Sequence, residues 1–478
     1  MYNIIMFILL ILGFINFIFM ITLLFFEKKN PASTWAWLLI LAFIPILGFI
    51  AYLFCGHDIS KEKLFKRKIM DDNIKNSYLK KLKTTTTLNE VSEANQDVIR
   101  MNYVNCKSLY TINNSVRVIF DGKELFDDMI AEIKKAKNFI HVEYYIFRSD
   151  STGSLLLDAL CEKAKEGVQV RLLVDAMGNK ISKNYEKKLA AAGVKFEKFF
   201  PNIFGIFNIR INYRNHRKFV LIDGRYGYLG GFNVGKEYKG EGPLGYWRDT
   251  HMKITGEALN EIEERFILDW TYCTKENLSP SFAEYFKEYE DIELGHKVPM
   301  QIISSGPDHE AEHIKNTYMK IMNNAKKTLC IQSPYFVPDL AIMDSLKLAA
   351  LSGVEVNLML PGIPDKVFIP WVANPYIEIL LEYGVNVYLY ERGFLHAKTI
   401  VADSSISTIG TANMDIRSFA LNFETNAIMY SSKLALHLEE KFYKDLKDCK
   451  KLTLKEFSNR SKKIKFLESI FRLLSPIM

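Results

Sequence analysis

The sequence contains one polar pattern twice, H-x-K-x4-D-x6-G-[GT]-x-N, and its residue types fit the transfer of a phosphoryl group. The first copy consists of His216, Lys218, Asp223, Gly230 and Asn233, and the second of His396, Lys398, Asp403, Gly410 and Asn413. Displacement at a phosphodiester needs a nucleophile, an acid for the departing alkoxide, and positive charge or donors on the non-bridging oxygens. The two copies together supply these groups. The pattern therefore predicts double displacement through a phosphohistidine, with one imidazole attacking and the other acting as acid and base.

The apolar run after each lysine predicts a strand that carries histidine and lysine on one face. Side chains alternate along a strand, so His216 and Lys218 project to the same side and can hold one anionic group. We count Asp223 and Asp403 in the catalytic set, with the interpretation that they hold their own segments or orient an imidazole rather than touch phosphate.

The remaining polar positions of the motif predict phosphate contacts without a metal. We expect Asn233 and Asn413 to bind or orient the phosphate. No carboxylate cluster with ligand spacing accompanies the lysines, so we expect neither a metal nor another cofactor.

Two similar series of strands and helices precede the two motifs. The sequence predicts strands at 139–147 and 167–175 before the first motif and at 328–337 and 353–360 before the second, with a helix inside each pair. Such series occur in many unrelated folds, and the shared motif is what makes them a repeat. We therefore predict an α/β fold with parallel strand pairing, built from two α/β units in pseudo-two-fold arrangement.

Residues 1–58 differ in composition from the rest of the chain. Residues 1–26 and 34–54 contain no charged side chain, and each stretch has about the ~20 apolar residues that cross a bilayer. We predict a hairpin of transmembrane helices at about 4–26 and 34–54. The first positive charge, Lys28, follows the apolar run, which argues against a cleaved signal peptide. Lysines are more numerous after the second span than in the turn, so we expect a multi-pass protein with its catalytic domains facing the cytoplasm.

The composition of the remaining chain indicates globular domains. Of the 478 residues, 49% are hydrophobic and 24% charged, which excludes a disordered protein, and the formal net charge of +7 argues only weakly for an acidic partner. Six scattered cysteines without a C-x-x-C spacing favour a reduced body that faces the cytosol. We predict a basic linker at 59–110 and two domains at 111–295 and 296–478.

Two further segments have the composition of membrane-contacting surfaces. The stretch 199–207 is aromatic and apolar and precedes Arg210, Arg214 and Arg217, which fits a loop that dips into the lipid interface; a buried loop fits the pattern equally well. Five C-terminal apolar residues recur at helical spacing against a basic face: Phe466, Leu467, Ile470, Phe471 and Leu474. This pattern favours an amphipathic helix on the membrane surface over one docked on the protein. Anionic membrane lipid is thus an expected partner.

Both motifs and their flanks resemble those of bacterial cardiolipin synthases of the phospholipase D superfamily. The resemblance is carried by 210–218, 246–251 and 410–419 together with the N-terminal hairpin, and it covers essentially the full length. It implies two phospholipase D-like α/β/α sandwich domains in a bacterial inner membrane. It also implies transfer of a phosphatidyl group from one phosphatidylglycerol to another, with release of glycerol. In the superfamily the first histidine, here His216, is the nucleophile and the second, His396, the acid and base; the residues alone leave these roles interchangeable.

The resemblance also singles out two acidic residues and one departure from the family pattern. Asp249 and Glu424 stand at the acidic position downstream of each motif, where we expect them to hydrogen-bond an active-site histidine. The family's G-S-x-N is Gly230-Gly231 in the first copy and Gly410-Thr411 in the second. A serine hydroxyl is therefore absent from the first copy and replaced by threonine in the second.

Other functions remain as alternatives at this point. A phospholipase D-type hydrolase or a membrane-tethered nuclease would use the same histidines with water as the acceptor. A nuclease should carry a basic, aromatic-lined track, and the sequence has apolar loops instead, so we expect no nucleic-acid partner. A non-catalytic membrane scaffold would require a degraded motif, and neither copy has lost its histidine, lysine, aspartate or asparagine.

Overall fold

The computed structural model describes residues 2–26, 31–45, 48–49, 52, 93–200, 212–274, 276, 278, 282–287, 297–473 and 475. At the N-terminus, helices α1 (Tyr2–Phe26) and α2 (Pro31–Phe43) pack against each other, and Asn16 Nδ2 donates to the Leu41 carbonyl at 3.0 Å. In the described part of the chain, no helix combines the length and the apolar character that crossing a membrane requires. The turn after Phe26, residues 53–58 of the predicted hairpin and residues 59–92 of the predicted linker lie outside the described residues.

The first repeat alternates strands and helices. After α3 (Glu93–Cys106), its elements are β1 (Asn114–Ile119), α4 (Gly122–Lys135), β2 (Phe139–Tyr144), β3 (Phe147–Arg148), α5 (Gly153–Lys165), β4 (Gln169–Asp175), β5 (Asn179–Lys180), α6 (Lys183–Ala192), β6 (Lys195–Phe199), β7 (Arg214–Asn215), β8 (Lys218–Ile222), β9 (Tyr226–Gly230), β10 (Tyr246–Arg248), β11 (His251–Gly256), α7 (Ala258–Thr274) and α8 (Phe282–Tyr285).

The second repeat follows the same order. Its elements are β12 (Met300–Ser305), α9 (His313–Asn324), β13 (Thr328–Gln332), β14 (Phe336–Val337), α10 (Leu340–Leu351), β15 (Glu355–Pro361), α11 (Ile369–Glu382), β16 (Asn386–Tyr390), β17 (Gly393–Leu395), β18 (Thr399–Ala402), β19 (Ile406–Gly410), β20 (Met414–Asp415), α12 (Ile416–Ala420), β21 (Asn422–Met429), α13 (Ser432–Asp445), β22 (Cys449–Lys451), α14 (Leu454–Ser458) and α15 (Lys462–Arg472).

The two main sheets have the same topology, which confirms the predicted repeat. The first has the order β1-β11-β9-β8-β2-β4-β6, and the second has β12-β21-β19-β18-β13-β15-β16 with β22 added at its edge. The prediction of parallel pairing was only partly right. Strands β2, β4 and β6 pair in parallel, whereas β8, which follows the first motif, pairs antiparallel with both β2 and β9. The motif strands return by tight turns rather than by helical crossovers, and such turns join antiparallel strands.

Local sequence accounts for the helices that cover these sheets. The Asp121 carboxylate accepts hydrogen bonds from the N–H groups of Lys123 and Glu124 and so begins α4. The buried face of α4 carries apolar residues at helical spacing, among them Leu125 and Met129. Helix α6 ends at Gly193, whose φ of 88° lies in the left-handed region that glycine adopts without strain.

The two repeats share one hydrophobic core. Besides a separate cluster in each repeat, a third cluster joins buried residues of both, including Phe219 and Phe266 from the first repeat and Ile409 and Phe423 from the second. Helix α3, at the end of the predicted linker, places Val98 in the core of the second repeat. The repeats are therefore packed as one body.

At 199–207, the alternative of a membrane loop is wrong where it can be checked. Phe199 and Phe200 are buried, and their rings lie 5.2 Å and 5.9 Å from the ring of Phe423. Arg217 is also buried, and it pairs with Asp269 instead of reaching a lipid headgroup. Residues 201–211 lie outside the described residues.

Candidate active site

Each motif histidine follows a short strand that pairs with the other repeat. Strand β7 pairs in parallel with the start of β21, and the N–H of His216 then donates to the Phe423 carbonyl at 2.8 Å. In the mirror arrangement β17 pairs in parallel with β10, and the N–H of His396 donates to the Arg248 carbonyl at 2.7 Å. The prediction that the histidines lie within the motif strands is therefore wrong. Each histidine lies in the short connection between a strand that pairs with the other repeat and the motif strand of the main sheet.

These pairings bring each histidine to a carboxylate of the opposite repeat. Nδ1 of His216 lies 2.8 Å and 2.9 Å from the two carboxylate oxygens of Glu424, and Nδ1 of His396 lies 2.5 Å from Oδ2 of Asp249. The expected hydrogen bonds are confirmed. A carboxylate at Nδ1 fixes the tautomer and the orientation of the ring and directs Nε2 away from the carboxylate.

The two motif lysines are buried beside the histidines. Nζ of Lys218 donates to the His216 carbonyl at 2.5 Å, and Nζ of Lys398 lies 2.9 Å from Nδ1 of His396. Burial lowers the pKa of Lys398 to about 8, and burial together with the charge of Lys398 lowers the pKa of Lys218 well below its usual value. Because the two ammonium groups influence each other, both motifs contribute to one cationic site.

Both histidines are held in the neutral form. Burial first, and the neighbouring lysines second, lower the pKa of His396 to about 4 and the pKa of His216 well below its usual value. A neutral imidazole is the form that can attack phosphorus or accept a proton. An incoming phosphodiester anion offsets the lysine charges and so raises both histidine pKa values.

The two carboxylates are not equivalent. Burial raises the pKa of Glu424 to about 7. Asp249 is equally buried, but the charges of Lys398 and His396 outweigh that burial and lower its pKa. The His396 pair therefore holds an ionised carboxylate, while the His216 pair titrates near neutrality.

The motif aspartates bind backbone N–H groups of their own repeats. The Asp223 carboxylate accepts hydrogen bonds from the N–H groups of residues 137–139, and the Asp403 carboxylate does the same for residues 326–328. Each lies at the far end of its strand, five residues from the lysine, which is roughly 16 Å at about 3.3 Å per residue. The interpretation that they hold their own segments agrees with these contacts, and their place in the catalytic set stays a prediction.

The motif asparagines are buried and differ from each other. The Asn233 side chain accepts from the N–H of Ile146 at 3.2 Å and donates to the Tyr238 hydroxyl at 2.6 Å, so its contacts orient the protein. Asn413 hydrogen-bonds Asp415, and its Oδ1 has no donor within the described residues. These contacts are all to protein groups, and the expected role of the two asparagines toward phosphate stays a prediction.

Aromatic side chains that the sequence analysis missed line both histidines. The ring of Tyr145 lies 4.8 Å from the ring of His216, and the rings of Tyr238 and Trp247 each lie 5.5 Å from that of His396. Nζ of Lys218 also lies 5.6 Å from the centre of the Tyr145 ring. Trp247 falls within a stretch that carried the family resemblance, but neither tyrosine has a sequence signal that marks it.

The glycine that replaces the family's serine lies against a carboxylate. A β-carbon at Gly231 would lie 2.0 Å from Oδ1 of Asp249, so this position has no room for a side chain while Asp249 keeps its place. At the equivalent position the Thr411 hydroxyl hydrogen-bonds Glu424. Among the described residues, no group of three or more His, Cys, Asp or Glu side chains could hold a metal ion.

Comparison with known proteins agrees with the fold. The family model described as "Cardiolipin synthase, PLD-like domain" matches residues 129–242 and 318–446, and "Phospholipase_D-nuclease N-terminal" matches residues 5–57. A cardiolipin synthase of Clostridium perfringens is 53% identical over 454 residues, or 95% of each chain. The major cardiolipin synthase of Bacillus subtilis is 46% identical and covers 98% of this chain and 99% of its own. A crystal structure of phosphatidylserine synthase from Haemophilus influenzae has a TM-score of 0.62 at 15% identity, covering 81% of this chain and 100% of that one.

Two like-folded repeats with paired H-x-K sites define the class of the phospholipase D superfamily. The chain belongs to the bacterial cardiolipin synthase family within it, and it is a phosphatidyltransferase.

Proposed function

We propose that the protein synthesises cardiolipin from two phosphatidylglycerol molecules and releases glycerol. The observation that carries this proposal is the pair of neutral histidines, each oriented by a carboxylate, that share a site with two buried lysines. One imidazole can attack phosphorus while the other exchanges protons with the leaving and entering alcohols. The named relatives support lipid as the substrate.

The first half-reaction transfers the phosphatidyl group to the enzyme. Nε2 of His216 forms a bond to phosphorus as the bond to the glycerol oxygen breaks. His396, whose pKa the bound phosphodiester raises, has by then taken up a proton from solvent at Nε2, and it gives that proton to the glycerol oxygen and returns to the neutral form. Glycerol leaves, and a phosphatidyl-histidine remains. Lys218 and Lys398 stabilise the charge on the non-bridging oxygens. Glu424 stabilises the positive charge that develops on the His216 ring.

The second half-reaction restores the enzyme. Neutral His396 takes the proton from the terminal hydroxyl of a second phosphatidylglycerol, and the hydroxyl oxygen attacks phosphorus as the bond to His216 breaks. Two displacements retain the configuration at phosphorus. The assignment of His216 as nucleophile follows the superfamily, and the ionised Asp249 beside His396 suits a group that must carry a proton between the two steps.

We further propose that residues 1–58 anchor the enzyme in a bacterial cell membrane as a helical hairpin, with the catalytic repeats in the cytoplasm. The uncharged stretches 1–26 and 34–54, the lysines that follow them, and the family match at residues 5–57 support this arrangement. A hairpin of this kind would keep the active site beside its lipid substrates.

Incubation of the purified full-length protein with phosphatidylglycerol alone tests the activity. Lipid mass spectrometry should show cardiolipin together with an equal amount of glycerol. Accumulation of phosphatidic acid instead would identify a hydrolase that uses water as acceptor. Unchanged lipid from a folded sample would contradict the assignment of a lipid substrate.

A further inference from the structure

The C-terminal helix α15 packs on the protein with its polar side inward. It lies against α11, where the Glu468 side chain is buried and accepts from Nδ2 of Asn374 at 2.7 Å. Burying a carboxylate is costly unless it is paired, and Glu468 also forms an ion pair with Arg460 at 2.9 Å. The inward orientation of this side is therefore specified by matched polar groups.

Two further ion pairs extend this polar contact. Arg460 and Lys465 both pair with Glu378 of α11, at 2.8 Å and 3.2 Å. The rings of Phe471 and Trp371 also pack against each other, with their centres 5.0 Å apart. We call Arg460, Lys465, Glu468 and Glu378 the polar latch.

The opposite side of α15 is apolar and faces solvent. Phe466, Ile470 and Leu473 are 67%, 45% and 76% exposed, and Leu467 beside them is 37% exposed. Residues three to four positions apart share one face of a helix, so these side chains form a continuous apolar strip. A helix on the surface of a water-soluble protein normally has the reverse orientation, with its apolar side packed on the protein. The sequence pattern favours a helix on the membrane surface over one docked on the protein. The structure instead docks the helix on the protein and leaves its apolar side outward.

Positive charge borders the apolar strip. Lys462 and Lys463, in the first turn of α15, are exposed and form no ion pair within the described part of the chain, unlike Lys465 and Arg460. Exposed lysines next to an apolar helix face are suited to anionic headgroups, which the ammonium groups meet while the apolar side chains enter the acyl boundary.

We propose that the outward face of α15 inserts into the interface of an anionic bilayer and that the polar latch holds it there. A second copy of this chain is a poorer occupant. An 11-residue helix is about 16 Å long and about 10 Å wide, so one face offers a few hundred Å² at most. Stable protein interfaces bury about 800 Å² on each partner. A bilayer needs no such area if, as proposed above, the N-terminal hairpin shares the attachment.

Site-specific photocrosslinking of the full-length protein in vesicles tests this proposal. The probe p-benzoylphenylalanine replaces Phe466 in one variant and Phe471 in a matched control, which lies on the same helix but packs against Trp371. In vesicles of phosphatidylcholine and phosphatidylserine, we expect phospholipid adducts at position 466 at least about ten times more abundant than at position 471. Equal lipid adducts at both positions, a crosslinked dimer at position 466, or the absence of lipid adducts there would each overturn the proposal.

The two lysines beside the apolar strip allow a second measurement. The double substitution Lys462→Glu with Lys463→Glu should lower the lipid adduct at position 466 several-fold in anionic vesicles and leave it unchanged in vesicles of phosphatidylcholine alone. An unchanged yield in the anionic vesicles would contradict a role for these lysines. Crosslinking needs no turnover, so either result is independent of whether the enzyme makes cardiolipin.

Discussion

At the scale of single residues, the site is a set of groups whose burial changes their chemistry. Burial lowers the pKa values of both histidines and both lysines and raises that of Glu424. The charges that remain are compensated across the repeats, since each imidazole has a carboxylate from the other half of the chain. The reaction therefore depends on both motifs at once.

Removal of either histidine should abolish turnover. We expect His216→Ala and His396→Ala each to lower kcat for cardiolipin formation by about 10³-fold or more, because nucleophile and proton carrier act as one unit. Lipid mass spectrometry of initial rates measures this. His437→Ala, at an exposed position outside the site, is the matched control and should retain activity. Substantial activity in either motif variant would contradict a shared site.

Activity should depend on pH through Glu424 and Lys398. Glu424 has a pKa of about 7, so kcat/KM should fall as pH drops below that value, because the protonated carboxyl no longer stabilises a positive imidazole. Lys398 has a pKa of about 8, so the rate should also fall above that value as the ammonium charge is lost. We expect Glu424→Gln to be slower throughout and to lose the acidic limb. A profile of kcat/KM against pH measures both limbs, and an acidic limb that persists in Glu424→Gln would assign it to another group.

At the scale of elements, two very short strand pairs position the catalytic residues. Strands β7 and β10 have two and three residues, yet their pairing with β21 and β17 fixes where each histidine meets its carboxylate. A glycine after each motif strand, which lets the backbone pass close to its neighbours, completes this arrangement.

The substitution Gly231→Ala tests the close contact between this glycine and Asp249. The new methyl group would overlap Oδ1 of Asp249, so the carboxylate must move away from His396. We expect kcat to fall by about 10–100-fold, with a smaller change in KM, as for other partners that orient a functional imidazole. Gly153→Ala is a steric control outside the site, since its methyl group would overlap the Arg148 carbonyl. The control should lose stability but keep the kcat of its folded fraction; equal kcat losses in both variants would indicate a general folding defect.

Asp403→Ala separates a structural from a catalytic aspartate. The substitution leaves three N–H groups without their acceptor, at distances of 2.7–3.0 Å in the native protein, and should cost about 1–3 kcal/mol of the free energy of unfolding. Below the unfolding temperature, kcat should stay near that of the native enzyme. Thermal unfolding and initial rates measure the two effects. Asp403→Asn keeps one acceptor oxygen and tolerates the φ of 50°, so it should lose less stability. A large loss of kcat in folded Asp403→Ala would place the aspartate in the catalytic set.

The sequence predicts the repeat and the motif well, because both depend on local patterns. Alternating strands and helices and a strict polar spacing can be read within windows of a few residues. The inter-repeat pairs could not be predicted, since strands of two or three residues carry no periodic signal. The partners of His216 and His396 lie 208 and 147 positions away. For Phe199 and Phe200 the sequence cannot choose between a membrane loop and a buried loop, because an apolar segment has the same composition in a lipid interface and in a protein core.

At the scale of the whole molecule, the two repeats are joined by their largest common core. Residues of both sheets and of helices α7 and α13 belong to one buried cluster. Neither repeat can leave the other without exposing this surface, and the pairs at His216 and His396 would be lost at the same time.

The repeats should therefore unfold together. In detergent, we expect tryptophan fluorescence and far-ultraviolet circular dichroism of the native protein to report the same urea midpoint, although Trp270 and Trp371 lie in different repeats. Phe423→Ala, in the shared core, should destabilise the protein by about 3–5 kcal/mol and shift both midpoints equally. Both signals recorded on the same sample measure this, and two separate midpoints would show independent domains.

The pairing of each histidine with a carboxylate of the other repeat also has a consequence for recombination between this chain and a relative. If the first half of this chain were joined to the second half of a relative, neither parent would contribute an intact histidine–carboxylate pair: His216 would meet the relative's acid, and Asp249 would meet the relative's histidine. Every hybrid of this kind tests both foreign pairings at once. The two halves therefore have to match each other at the site, as the two subunits of an obligate dimer match at their interface.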